Sequence, residues 1–211
     1  MDGKALQVVN EEKDLGVTIS NDLKYVKHCK NVCKKAYNML GFITRNIEFK
    51  TPEVILPLYN SLVRPHLEYA VQFWDPHLNK DKNKLEAVQR RATKMIPSIR
   101  TKSYEDRLIE LDLFSLSKRR LRGKLIECYK ILKGLSNVPA ERLFTFAPDL
   151  PTRGNSLKLR GQAVTLDSTK YFFTNDVVDK WNNLPEHVVS STSVKMFKSS
   201  LDRHLSNTGV R

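Results

Sequence analysis

The chain has 211 residues, of which 40% are hydrophobic and 28% charged, and its formal net charge is +13. This composition excludes a disordered chain and fits a folded protein of one large or two small domains. No stretch approaches the ~20 consecutive apolar residues of a membrane span, and the polar, charged first thirty residues differ from a signal peptide. We therefore expect an intracellular protein, nuclear or cytoplasmic, without a membrane partner.

The first twenty residues predict two short strands, at residues 6–9 and 14–19. No partner strands are evident near them, and an isolated pair of strands is weak in water. We expect this segment to be the remnant of a larger sheet, with an exposed edge prone to pairing.

Helix-start residues at 20–22 precede apolar residues that recur every three or four positions from Leu23 to Ile43, which predicts a long amphipathic helix. Thr51 and Pro52 predict the start of the next helix. Pro57 should kink or break it before a further helical piece at residues 66–73. The polar face of the first helix carries a stripe of lysines, namely Lys24, Lys27, Lys30, Lys34 and Lys35.

The positive charge is concentrated between Lys80 and Lys133, where 16 basic and 7 acidic residues account for +9 of the +13. The helix predicted at residues 79–96 lies here. Forked guanidinium donors suit phosphate oxygens, and neutral side chains can add hydrogen bonds to sugar or phosphate. A solvated helical face is the alternative. The candidate phosphate contacts on this helix are Gln89, Arg90, Arg91 and Lys94.

A further helix is predicted from Ser115 or Ser117 to Leu132, with Gly134 at its C-cap. Its first turns hold the densest basic cluster of the chain. The helix dipole is positive at the same end, so an anionic partner would explain the placement. We expect this cluster to form a continuous positive surface with the preceding helix. Its candidate contacts are Lys118, Arg119, Arg120 and Arg122.

The character of the sequence changes near residue 138. Residues 144–160 read as an irregular connector or a weak hairpin, and residues 175–181 and 193–205 as two short helices. The aromatic residues of this part predict a small shared core: Tyr171, Phe172, Phe173, Trp181 and Phe197, with Leu201. Core packing at this spacing is favoured over base stacking.

Catalytic motifs are missing from the sequence. It contains no glycine-rich phosphate loop, no nucleophile elbow and no regular set of metal-ligating Cys and His residues. Cys29 and Cys33 are four apart on a predicted apolar stripe, which favours small buried hydrophobes over metal ligands. His66 and Glu68 would point to different sides of a helix. We assign no catalytic residue, no metal site and no cofactor to this chain.

Five ordered blocks carry a resemblance to a known family. They are residues 13–17 (KDLGV), 58–74, 84–94 (KLEAVQRRATK), 113–116 with Arg119 and Arg120, and 181–185 (WNNLP). Together they resemble the region after the polymerase palm in LINE-type, non-long-terminal-repeat retrotransposon reverse transcriptases, particularly of the jockey and chicken-repeat groups. The resemblance extends from about residue 12 to about residue 204.

The resemblance implies a thumb that grips a template and primer duplex. Leu15 and Gly16 would belong to the primer-grip region, the lysine face would lie near the duplex, and the arginine helices would extend the nucleic-acid track. Mg²⁺ would serve the full-length polymerase, whose fingers, palm and metal-binding aspartates find no counterpart in these residues. The implied partners are an RNA/DNA duplex or RNA, and the missing palm.

The predicted fold is mainly α: a thumb-like helical bundle with a short N-terminal β remnant and a small C-terminal helical subdomain. The predicted divisions are residues 1–20, 21–137 and 138–211. The predicted function is that of a nucleic-acid-binding fragment of an RNA-directed DNA polymerase. Because the catalytic aspartates are absent, we expect that this chain is not itself an enzyme. The alternatives are a protein interaction module that binds an acidic partner, and an inert remnant of a mobile element.

Overall fold

The computed structural model describes residues 8–147, 155–164 and 167–207. It is mainly α-helical, with two short antiparallel strand pairs, so the predicted fold class is confirmed. No helix in the described ranges is long and apolar enough to cross a membrane.

The N-terminal strands pair with each other. Strand β1 (Glu11–Asp14) runs antiparallel to β2 (Val17–Ser20), with Glu11 opposite Ser20. Leu15 and Gly16 make the connecting turn with φ values of 44° and 87°. Two consecutive positive φ angles suit the right-handed twist of a tight hairpin. The prediction of strands without a partner was therefore wrong. Residues 6 and 7 lie outside the described residues.

The hairpin is attached to the bundle by a buried side chain and by hydrogen bonds. Val17 is buried in the main core. The Thr18 backbone N–H donates to His28 Nδ1 at 3.1 Å, and the Tyr69 hydroxyl donates to the Leu15 carbonyl oxygen at 3.1 Å. These contacts hold the hairpin against the first long helix.

The N-terminal half of the bundle is built on helix α1 (Val26–Asn46). Its buried face includes Cys29, Cys33 and Leu40, at the predicted spacing. Helix α2 (Pro52–Leu58) contains Pro57 without ending there, and it continues into a π-helical turn at Tyr59–Val63. The wider turn carries the chain past the two prolines of this region.

The next predicted helix is divided in two. Helix α3 (Arg64–Glu68) ends at Tyr69, and α4 (Val71–Trp74) follows Ala70, whose φ is 53°. The Trp74 indole donates to the Tyr69 carbonyl oxygen at 2.6 Å, which satisfies an acceptor that the break exposes. The prediction of one continuous helix over residues 66–73 was therefore wrong.

Three helices carry the middle of the chain: α5 (Asn79–Lys94), α6 (Tyr104–Glu110) and α7 (Leu116–Leu132). Ser103 and Ser115 cap α6 and α7, and each side chain accepts a backbone N–H three residues on. Gly134 follows α7 with a φ of 66°, as a C-terminal glycine should.

The C-terminal part combines a two-residue strand pair with short helices. Strand β3 (Thr145–Phe146) pairs with β4 (Leu159–Arg160), in the segment predicted as a weak hairpin. Helix α12 (Val194–Asn207) packs on α7. The shorter helices between them are α8 (Asp167–Lys170), α9 (Phe173–Asp176), α10 (Val178–Asn182) and α11 (Glu186–Val189).

Two hydrophobic cores share α7. One gathers buried residues from Val17 to Leu116, and the other gathers those from Leu125 to Leu205. Trp181, Phe197 and Leu201 are fully buried in the second core, as predicted. The prediction that Tyr171 and Phe172 belong to that core was wrong, because these residues are 41% and 39% exposed. The predicted boundary near residue 138 stays a prediction.

The contact between His28 and the hairpin predicts a pH-dependent stability. His28 is 3% exposed, and burial, followed by the charge of Lys35, lowers its pKa from 6.5 to about 4. The folded state therefore disfavours the protonated ring, which also could not accept the Thr18 N–H. Stability present above pH 6.5 should be lost as the pH falls towards 4. We expect the free energy of unfolding to drop by about 2 kcal/mol between pH 7 and pH 5 on account of this group.

Urea denaturation at several pH values measures the effect. The variant His28→Gln keeps an acceptor but no titratable ring, so its stability should change less over this interval. An equal loss in the variant and the wild type would show that other groups govern the acid sensitivity.

Candidate nucleic-acid interface

A basic groove runs between the hairpin, α1 and α5. Its volume is about 1180 Å³. Helix α1 packs along α5, and the lysines of α1 stand on the side of the helix away from its buried cysteines. The cations that line the groove are Lys24, Lys27, Lys30, Lys34 and Lys84, and the carboxylates are Glu11 and Asp22. We call this surface the α1–α5 groove.

The lysines of the groove differ in whether a carboxylate neutralises their charge. At the hairpin end, Lys27 forms an ion pair with Glu11, and Lys24 lies 3.9 Å from Asp22. Lys30 and Lys34 are exposed and have no ion-pair partner within the described part of the chain. Among the lysines of α1 that line the groove, the uncompensated positive charge therefore lies at Lys30 and Lys34.

The neighbouring arginines of α5 point in different directions. The Arg91 guanidinium lies over the Tyr37 ring, 5.7 Å from its centroid, and Tyr37 lines the α1–α5 groove. The Arg90 guanidinium lies 4.7 Å from the centroid of Tyr104, on α6. Adjacent residues on a helix do not share a face, so Arg91 extends the groove and Arg90 does not. Lys94, at the end of α5, is exposed.

Gln89 does not reach the surface. It is fully buried, accepts from the Tyr59 hydroxyl at 2.7 Å, and donates to the Tyr104 hydroxyl at 3.1 Å and the Phe114 carbonyl at 2.9 Å. Its amide is thus used entirely within the core. The prediction that Gln89 contacts nucleic acid was wrong, because a polar residue beside two arginines was read as part of their face.

Arg120 is likewise buried rather than presented to a partner. It is 1% exposed, and its Nε donates to Asp75 at 2.7 Å. Lys124, one turn further along α7, donates to the same carboxylate and to Asp176, the latter at 2.6 Å. Although burial opposes the charge on Asp176, Lys124 holds the pKa of that carboxyl below its usual value. The prediction that Arg120 contacts nucleic acid on an exposed face of α7 was therefore wrong.

The remaining cations of α7 are also bound within the molecule. Arg119 forms a two-pronged pair with Glu68, and Arg122 forms one with Asp202, with Nη2 distances of 3.0 Å and 2.9 Å. Lys118 donates to the Leu205 carbonyl at 2.9 Å. Carboxylates of the chain itself therefore supply the negative charge that the sequence analysis assigned to an anionic partner. The predicted continuous positive surface between α5 and α7 was therefore wrong.

The turn assigned to the primer-grip region is a hairpin tip. Leu15 is 83% exposed, and its carbonyl is held by Tyr69. A Cβ at Gly16 would lie 3.5 Å from the Tyr69 ring, and the φ of 87° strains any other residue. A tight turn accounts for both residues, and their role as a primer grip stays a prediction.

The side chains considered for acid–base, thiolate or metal chemistry lack the partners or the ionisation that this chemistry needs. Glu68 is occupied by Arg119, which leaves His66 without that carboxylate as a partner. Burial raises the pKa of the Cys29 thiol to about 12 and that of Cys33 to about 11, so neither is a ready thiolate. Within these ranges, no three His, Cys, Asp or Glu side chains are grouped to hold a metal ion. The residues therefore do not fit the Mg²⁺ of a polymerase.

Comparison with known proteins adds one distant relative. The chain is 24% identical over 133 residues to an uncharacterized protein of Caenorhabditis elegans, a match that covers 62% of this chain and 67% of the relative. No family model matches the chain, and no solved structure matches it.

Proposed function

We propose that this chain binds a nucleic-acid duplex through the α1–α5 groove, as a fragment of a retrotransposon reverse transcriptase that follows the palm. The observation that carries the proposal is the unpaired charge of Lys30 and Lys34 within one groove, with the Arg91 guanidinium over the groove residue Tyr37. Cations without intramolecular partners are those that can exchange counterions for phosphates. The face is restricted to α1 and one side of α5, since the α7 cations are paired.

The decisive variant combines Lys30→Gln, Lys34→Gln and Arg91→Gln. We expect it to bind an RNA–DNA hybrid duplex about tenfold more weakly at moderate salt, with a salt slope shallower by about 2 to 3. Fluorescence anisotropy across a salt series measures both quantities.

A matched control removes the same charge from a distant surface. Lys195, Lys198 and Arg203 are exposed on α12, and their replacement by glutamine should weaken binding much less. An equal loss in the control would mean that net charge, and not this groove, governs binding. Absence of binding by the wild type at low salt would refute the proposal.

A second candidate function is supported by an apolar groove on another side of the molecule. Phe73 is 53% exposed and lines a groove of about 490 Å³ with Leu23, Tyr25 and Phe172. An acidic protein that places apolar side chains in this apolar groove would also contact the basic α1–α5 groove. Phe73→Ser should release such a partner, whereas a ligand held by the α1–α5 groove alone should be displaced by a hybrid duplex and should bind Phe73→Ser as it binds the wild type.

A further inference from the structure

A small polar cavity lies where the two hydrophobic cores meet. Its volume is about 250 Å³, enough for roughly eight waters at ~30 Å³ each. Helix α7 contributes one wall through Arg120 and Lys124, and Lys82 from α5 and Lys180 from α10 also line it. The cavity is separate from the α1–α5 groove, with which it shares no lining residue.

The cavity has an excess of positive charge. Four cationic side chains line it, against the two carboxylates of Asp75 and Asp176. Both carboxylates are already engaged, since Asp75 accepts from Arg120 and Lys124, and Asp176 accepts from Lys124 and Lys180. Lys82 and Lys180, which are only partly buried, contribute the excess charge, and the positive field that results favours a further anion in the cavity.

Donors remain available in the same place. Arg120 is 1% exposed, and its Nη1 is a buried donor that lacks a hydrogen-bond partner. Lys82 forms no ion pair with any residue in the described ranges. Natural structures seldom leave a buried guanidinium donor unmet unless a water or an ion completes it.

A stacked aromatic pair also lines the cavity. The His77 and Tyr171 rings stack at a centroid distance of 4.0 Å and an interplanar angle of 5°. This stack joins the loop after α4 to the segment after α8, and both rings line the cavity.

We propose that this cavity binds a phosphate group, held by Lys82, Arg120 and Lys180. A phosphate carries up to two negative charges, which match the excess of two cations, and its oxygens accept from several donors at once. The group is either free inorganic phosphate or a terminal phosphate of a nucleic acid. Binding here is independent of the α1–α5 groove.

Isothermal titration of the full chain with inorganic phosphate, at ionic strength held constant with chloride, tests the site. We expect saturable binding, weakened about fivefold or more by Lys82→Gln and by Lys180→Gln. Lys198→Gln, on the exposed face of α12, should bind phosphate as the wild type does. Thermal unfolding of each variant without phosphate confirms that it is folded, and Lys82→Gln leaves the buried pairs intact.

The results of these titrations decide whether the cavity binds phosphate and which source of phosphate it prefers. Failure of the wild type to bind, or equal binding by the wild type and both cavity variants, would overturn the proposal. A 5′-phosphorylated trinucleotide distinguishes the two sources: tighter binding than phosphate, lost when the phosphate is removed, assigns the site to nucleic-acid ends. Equal binding assigns it to free phosphate. The triple variant of the α1–α5 groove should retain phosphate binding, so the two proposals can fail separately.

Discussion

The variant Asp75→Asn is expected to lower the free energy of unfolding by about 3–5 kcal/mol. Asp75 is the shared acceptor of two buried cations, Arg120 and Lys124, whose side chains are 1% and 6% exposed. An amide of the same shape cannot balance their charges, so Arg120 remains buried without a carboxylate and Lys124 keeps only Asp176. The loss should therefore exceed the cost of a single hydrogen bond.

Urea denaturation measures this loss, and Asp202→Asn serves as the control. Asp202 also pairs with an arginine of α7, but its side chain is 38% exposed, and water can replace the carboxylate at Arg122. We expect the control to lose less than about 1 kcal/mol. Similar losses in the two variants would contradict the view that burial makes Asp75 the centre of this network.

The second large effect is expected at Gln89. Gln89→Ala should reduce the free energy of unfolding by about 3 kcal/mol, because it opens a cavity and leaves buried groups without partners. The groups affected are the hydroxyls of Tyr59 and Tyr104 and the carbonyl of Phe114. Tyr104 keeps its bond to Glu86, which limits the loss.

Arg91→Ala is the matched control for Gln89→Ala, since the two residues lie on the same helix and only one is buried. Its effect on stability should stay within about 0.5 kcal/mol, as for most exposed positions. The effects on duplex binding should be reversed: Arg91→Ala weakens it, whereas folded Gln89→Ala retains it. A stable Gln89→Ala protein with impaired binding would restore the surface role that its burial argues against.

The helical organisation could be predicted because its signals are local. Apolar spacing marked the buried face of α1, and Ser115 and Gly134 marked the ends of α7 where the structure places them. The π turn and the break at Ala70 were not predictable in the same way. The π turn lies between Pro57 and Pro65, and the break at Ala70 is accompanied by the hydrogen bond from Trp74 to Tyr69, so no apolar spacing marks either feature.

The charged residues show most clearly what could not be predicted from the sequence alone. The sequence alone determined a basic, mainly helical chain with a lysine face on α1 and a dense cluster at the start of α7. Tertiary structure decided which of these charges are free. Glu68, Asp75 and Asp202 lie about 45 to 80 positions from the arginines that they bind, so no local pattern joins them. Whether a cation is paired depends on which distant carboxylate the fold brings within bonding distance, and that is a property of packing rather than of spacing.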